Sequence, residues 1–173
     1  MSKNGKITES KIKAELINQI SHKEFENISV RDITKNIGID RSTFYLHYNN
    51  ITDVFQDIES NIMQDAQKII MKNKSDFFTM LKIIMDYVQV NKKIFNILLN
   101  KHNKVFISEF SVLLKEIFLL TPSKYTIKDV EQSQNYAIFF ISGCLGLISD
   151  WVKNDCQTEI CKICHCIHSI ILN

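Results

Sequence analysis

Glycine and proline are scarce in this chain, with four of the first and one of the second in 173 residues. A sheet protein of this length needs more turn residues than that. The scarcity points to helices, and the 45% hydrophobic content supplies the material to pack them. Strong net charge is missing too. A formal +2 does not announce a polyanion partner, so nucleic-acid binding has to be argued from local arrangement. The lysine-rich start MSKNGKITESKIKAELINQ has no apolar core of a secretory leader, and a cytoplasmic protein is expected. The longest apolar stretch, Tyr136 to Ile148, is short for a bilayer and runs into Asp150 and Lys153; a buried helix and no membrane partner are expected. Five cysteines, an odd number beside no export signal, argue for reduced thiols. No glycine-rich phosphate loop, paired-carboxylate spacing or Ser/His/Asp arrangement stands out. No enzyme activity and no cofactor are expected, and His102 beside Lys101 reads as a loop residue.

What is present is helical periodicity. Thr8 followed by Ile12, Leu16, Ile17 and Ile20 predicts an amphipathic helix ending near Lys23. Ser29 with Asp32 forms a capping pair that opens a short helix carrying Val30, Ile33 and Ile37 on one side, and Gly38 ends it. Asp40 is expected to cap a third helix running through Tyr48, and Asn50 a fourth running to about Met71. Beyond Asn73, apolar spacing resumes in DFFTMLKIIMDYVQV, KKIFNILL and KVFISEFSVLLKEIFLL. The lone proline in TPSKYT marks a loop, and two more helices are expected over residues 127–153 and 158–172. The fold class is all-α, with about nine helices.

The run ISVRDITKNIGIDRSTFYLHYNN holds two short helices joined by Gly38, Ile39 and Asp40, a helix-turn-helix pattern. Glycine suits a sharp reversal because it reaches left-handed dihedrals at little cost. Val30, Ile33, Ile37, Ile39 and Phe44 supply a small shared core. At about 100° per residue, Phe44 and Tyr48 fall together and face inward. Ser42 and Leu46 then point outward, flanked by Arg41, Thr43 and Tyr45. In a major groove an exposed leucine can meet a thymine methyl while Arg and hydroxyl groups reach base edges and phosphates. A generic helical hairpin with a polar exterior is the alternative that the pattern leaves open.

The run IGIDRSTFYLHYNN resembles the DNA-binding signature of the tetracycline-repressor (TetR) family, and residues 8–55 fit that family's N-terminal part. DRSTFYLHY together with FISGCLGLISDWV is similar to a branch that includes the activator of a dihydroxyacetone kinase operon. The resemblance implies a helix-turn-helix DNA-binding domain over residues 1–50 and a helical effector-binding and dimerisation domain over residues 51–173. It implies base contacts from Arg31, Arg41, Ser42, Tyr45 and Leu46, and phosphate contacts from Ser29, Thr43 and His47. The implied partners are double-stranded DNA with a palindromic site, a second copy of the chain, and a small apolar effector; the implied role is usually repression. One position departs from the pattern: Ile51 stands where the family commonly opens its fourth helix with lysine. Lys3, Lys6, Lys11 and Lys13 are candidates to compensate, or simply a solvated face.

In the larger part, Gly143 and Gly146, with Ser142 nearby, line one side of a helix that is apolar nearly all round, and Trp151 ends it. Small residues permit close helix approach and tryptophan anchors interfaces, so these three are the expected dimer contacts. Phe77, Phe78, Met80, Met85, Tyr87 and Phe95, with further phenylalanines, form either an effector pocket or plain core. The tract CKICHCIHS places Cys161, Cys164, His165 and His168 on one helical stripe, a metal or thiol sensor in principle and packed small residues more commonly. No metal site is assigned. Beside direct DNA binding, a coactivator acting through protein contacts remains open.

Overall fold

Side-chain caps start several helices, and the chain between them turns on very few residues. The computed structural model describes residues 3–73, 76–100, 103–119 and 130–172. Among the described residues there are nine α-helices and no strand. The proline loop, the start of the helix expected from residue 127, and His102 lie outside them. The chain divides into two compact units, Met1–Ile62 and Met63–Asn173.

The first unit holds α1 (Lys3–Ile20), a short 3-10 turn (Phe25–Asn27), α2 (Val30–Ile37), α3 (Arg41–Tyr45) and the first half of α4 (Ile51–Lys72). Ile12, Leu16, Ile33, Phe44 and Val54 are wholly buried there, each worth roughly 1.5–3 kcal/mol over an exposed position. Two expected boundaries move. Helix α1 begins at Lys3 rather than Thr8, because its first polar turn carries no apolar period to announce it. Helix α3 stops at Tyr45 rather than Tyr48, because the His47 N–H closes a tight turn on the Phe44 carbonyl at 2.9 Å. Asp40 sits at the start of α3 but makes no side-chain cap, whereas the Asn50 side chain accepts from the Asp53 N–H at 2.9 Å as expected.

The second unit continues with α5 (Phe77–Val90), α6 (Lys92–Asn100), α7 (Lys104–Phe118), α8 (Val130–Lys153) and α9 (Ile160–Leu172). Asp76 caps α5 through the Thr79 N–H at 3.1 Å, and Asn103 caps α7 through the Phe106 N–H at 3.1 Å. Phe95, Phe106 and Phe110 are fully buried, with ring centroids 5.5 to 5.8 Å apart, so these members of the expected pocket set form core. Between α8 and α9, Asp155 and Cys156 both adopt φ 57° without being glycine, and Lys92 Nζ lies 2.6 Å from Asp155 Oδ1 across that turn.

Helix α8 is not the buried helix expected from its composition. Over Gln134–Lys153 only 33% is buried, and Tyr136, Ile138 and Phe139 are exposed. The segment is long and apolar enough to cross a membrane, with mean hydropathy 1.3, but interface and core helices of soluble proteins share that composition.

Candidate nucleic-acid interface

Helix α2 begins where the Ser29 hydroxyl accepts the Asp32 N–H at 3.2 Å and donates to Asp32 Oδ2 at 2.9 Å. That hydroxyl bond holds the Asp32 carboxyl below its usual range. The Ser29 proton is therefore engaged with the Asp32 carboxylate, and a phosphate contact from Ser29 would have to displace that bond. Helix α2 ends at Gly38, φ 67° and ψ 41°, whose N–H returns to the Thr34 carbonyl, as does the Ile39 N–H at 3.0 Å. This is the left-handed helix stop that favours glycine.

The reversal delivers α3 with its sides sorted. Phe44 is wholly buried and Tyr48 is 8% exposed, while Tyr45 is 56% and Leu46 81% exposed. Arg41 and Ser42 are exposed, Thr43 is half-buried, and Arg31 is exposed on α2. The Tyr45 ring stands edge-on to Phe44 with centroids 5.6 Å apart, which restricts the tyrosine without covering it. Six of the eight expected DNA-contacting residues, Arg31, Arg41, Ser42, Tyr45, Leu46 and Ser29, are thus at the surface. His47 is half-buried, its Nδ1 lying 3.1 Å from Glu9 Oε1 on α1.

Electrostatics around this tip are sparing. Residues 1–62 carry eight Lys and Arg against nine Asp and Glu. Lys13, expected among the compensating lysines, is engaged with Asp57 Oδ2 at 2.7 Å. At the start of α4, where Ile51 replaces the usual lysine, Asp53 Oδ2 accepts from the Asn49 N–H at 3.1 Å and from Asn49 Nδ2 at 2.7 Å. A carboxylate therefore occupies the end of α4 that would otherwise attract a phosphate.

Behind the tip lies a polar cluster that sequence reading missed. Asp57 on α4 receives Lys13 Nζ and the Tyr48 hydroxyl, both at 2.7 Å, and Asn61 Nδ2 at 2.9 Å. Burial alone would raise the Asp57 carboxyl, but hydrogen bonds from Lys13, Tyr48 and Asn61 outweigh it and bring it below the usual range. The Tyr48 hydroxyl is pushed far above its ordinary value, first by burial and then by its bond to Asp57. In sequence, Lys13 and Asp57 look like any charges on the polar side of an amphipathic helix, so only the tertiary pairing reveals them.

In the second unit, Gly143 and Gly146 are exposed, with open space where a Cβ would stand. Trp151 corrects the expectation of an interface anchor. It is 3% exposed and donates Nε1–H to the Thr158 carbonyl at 2.8 Å, so it braces the α8–α9 turn and leaves almost no surface for a second chain. The cysteine and histidine stripe splits. Cys164 is wholly buried and His168 packs on Phe77 and Phe78, while Cys161 and His165 are exposed, with His165 Nδ1 2.7 Å from the Cys161 carbonyl. Among the described residues no three His, Cys, Asp or Glu side chains gather as a metal site. Burial pushes the Cys144 thiol up to about 12 and Cys164 to about 11.

An all-α chain whose N-terminal unit presents a helix-turn-helix tip, joined to a larger helical unit, has the build of a transcriptional regulator. Residues 75–173 match the TetR-type family described as "Transcriptional regulator C-terminal region", which is more than half of the chain. The protein belongs to the TetR family of transcriptional regulators. Its fold is similar to that of the dihydroxyacetone kinase operon activator DhaS, at 17% identity and TM-score 0.67 over 96% of this chain and 94% of that one. A transcriptional regulator of Aquifex aeolicus VF5, described as TerR/AcrR family, gives 15% identity and TM-score 0.71 over 95% and 97%. The fatty acid degradation regulator FadR of Bacillus halodurans gives 18% and 0.66 over 95% and 94%. No curated protein matches the chain by sequence.

Proposed function

We propose that this regulator acts as a cytoplasmic homodimer that grips a palindromic operator and represses transcription, with a small apolar effector releasing it. In this reading residues 1–50 bind DNA and residues 51–173 dimerise and receive the effector. Arg31, Arg41, Ser42, Tyr45 and Leu46 read base edges, and Ser29, Thr43 and His47 hold phosphates. The observation that carries the proposal is the α3 tip, where Leu46 stands 81% exposed beside Arg41, Ser42 and Tyr45. An exposed leucine costs solubility on an idle surface and gains a partner against a thymine methyl. The exposed strip of Phe139, Gly143 and Gly146 on α8 supports pairing with a second copy. Two tips would then address half-sites about 34–36 Å apart.

Selection of bound fragments from a pool of genomic DNA tests the reading, followed by gel shifts with Arg41→Ala and Tyr45→Ala. Each variant is expected to lose specific affinity, by about 1–3 kcal/mol for a base-edge contact. Selection of no fragment, or wild-type binding by both variants, refutes it.

A second reading has its own support: a coactivator that works through another regulator. Ile51, the Asp53 carboxylate at the start of α4, and eight basic against nine acidic residues in the first unit all disfavour a strong grip on phosphates. DhaS, by its name, is an activator. Salt dependence separates the two, since direct binding through six or more phosphates weakens by several decades as salt rises from about 50 to 200 mM.

A further inference from the structure

Helix α3 spans five residues, Arg41–Tyr45. So short a helix has almost no stability of its own, and its direction must be imposed by what it is tied to. Its entrance is set by the Gly38 turn. Its exit is set by Tyr48, two residues beyond Leu46, whose ring packs against Phe44 with centroids 6.1 Å apart and whose hydroxyl ends on Asp57 at 2.7 Å. The same Asp57 oxygen receives Lys13 Nζ from α1 at 2.7 Å, and the other receives Asn61 Nδ2 from the next turn of α4 at 2.9 Å. A second strut, Glu9 to His47 at 3.1 Å, ties α1 to the same exit. Helices α1 and α4 and the residue that follows the exit of α3 therefore meet at one carboxylate.

We infer that Asp57 is a positioning residue for DNA recognition: through Tyr48 it fixes the tilt of α3 relative to α1 and α4. The inference rests on the DNA-reading role proposed above and adds a residue that touches no DNA. Each group in the cluster has one task. The Asp57 carboxylate accepts, Lys13 keeps it ionised, Asn61 fixes its rotamer, and the Tyr48 proton carries the link to α3. Hydrogen bonds to a charged acceptor are among the stronger ones, and a partly buried location keeps this one from being exchanged freely for water.

The test uses the full-length protein, with Asp57→Ala, Tyr48→Phe, the double variant, and Asp57→Asn as the conservative replacement that keeps an acceptor for the tyrosine. Two readouts are taken below the melting temperature of every variant. The first is amide hydrogen exchange. Asp57→Ala and Tyr48→Phe should each speed exchange at Phe44 to Tyr48 while the amides of α1 from Ile12 to Ile20 stay protected. The second is the ratio of affinities for the selected genomic fragment and for random duplex DNA. Each single variant should lower that ratio about tenfold, the double variant no further, and Asp57→Asn should restore part of it. The slope of affinity against salt should not move, because no phosphate contact is removed. Unchanged exchange with an unchanged ratio overturns the positioning role while leaving DNA binding intact, and so do losses that add in the double variant. A variant set that loosens α1 together with α3 reduces Asp57 to a structural residue. If the wild-type protein itself shows no preference for any fragment, the DNA-reading role falls, and the positioning role with it.

Discussion

Replacing Gly38 with alanine isolates the backbone cost of the turn that creates the α3 tip. The residue sits at φ 67° and ψ 41°, and a Cβ built there meets nothing within 4 Å. No collision contributes, so the penalty is the intrinsic one for an L-residue in left-handed geometry, about 1–2 kcal/mol. Removing glycine also narrows the unfolded ensemble, which returns about 0.4–1 kcal/mol. The net loss should be close to 1 kcal/mol. In a unit the size of Met1–Ile62 that corresponds to a fall of roughly 4–8 °C in Tm. Gly38→Asn should cost less, because asparagine tolerates the left-handed region, and Gly38→Val should cost more, because branching at Cβ adds strain. Guanidinium denaturation followed by far-UV circular dichroism gives the ordering, and amide exchange at α2 and α3 locates the loss. Alanine at or above wild-type stability, or asparagine no better than alanine, would refute the account of why glycine stands in the middle of this run.

Other perturbations have equally definite outcomes. Tyr48 has its folded-state pKa raised far above its unfolded value near 10, so the stability it contributes is fully present below about pH 10 and is lost as pH rises beyond it. Tyr48→Phe should lower stability at neutral pH and flatten the alkaline decline, and a decline as steep as wild type would refute this assignment. On the acid side, Asp57 is held below its usual range, so its contribution should disappear as pH falls through the carboxylate range, and Asp57→Asn should remove that part of the pH dependence. Phe139 is 68% exposed, so Phe139→Asp should leave the single chain folded within about 0.5 kcal/mol while abolishing the proposed pairing, as read by sedimentation. In thiol titration of the native protein no more than two of the five cysteines should react quickly, Cys161 and Cys166, because Cys144, Cys156 and Cys164 are buried with raised pKa; rapid reaction of three or more would show the α8–α9 packing to be wrong.

Features local in sequence were the legible ones. Ser29 with Asp32, Gly38 and Asn50 each act within four residues of themselves, and the structure puts each where its chemistry suggests. The outward leucine was legible because Phe44 and Tyr48 share a face, and both are buried while Leu46 is exposed. What was not legible depends on a partner from another helix. Lys13 looks like a free lysine until Asp57, forty-four positions later, is seen 2.7 Å away. Trp151 looks like an interface anchor until its indole is found bonded to Thr158 inside the unit. Helix α8 looks buried because periodicity reports how apolar a face is and not what covers it. The four-residue cysteine and histidine stripe divides for a related reason. One helix face is wide enough for neighbouring side chains to belong to different environments: Cys164 is buried while Cys161, one turn away, is exposed, although both histidines reach Phe78 on α5.

Under the proposed pairing, the sparing charge of the first unit and the uncovered apolar side of α8 would have one physical explanation in common. A unit with eight basic and nine acidic residues gains little general attraction to DNA, so a single tip would hold a half-site weakly. Joining two tips turns the second contact into an intramolecular one, and modest affinities then multiply when the spacing of the two matches the site. Specificity benefits from the same arrangement. Weak attraction to phosphates lowers affinity for every sequence alike, and discrimination would then come from the proposed base-reading side chains acting twice. Under this account the apolar surface of α8 and the restrained charge around α3 are halves of one design, in which assembly supplies the affinity that electrostatics does not.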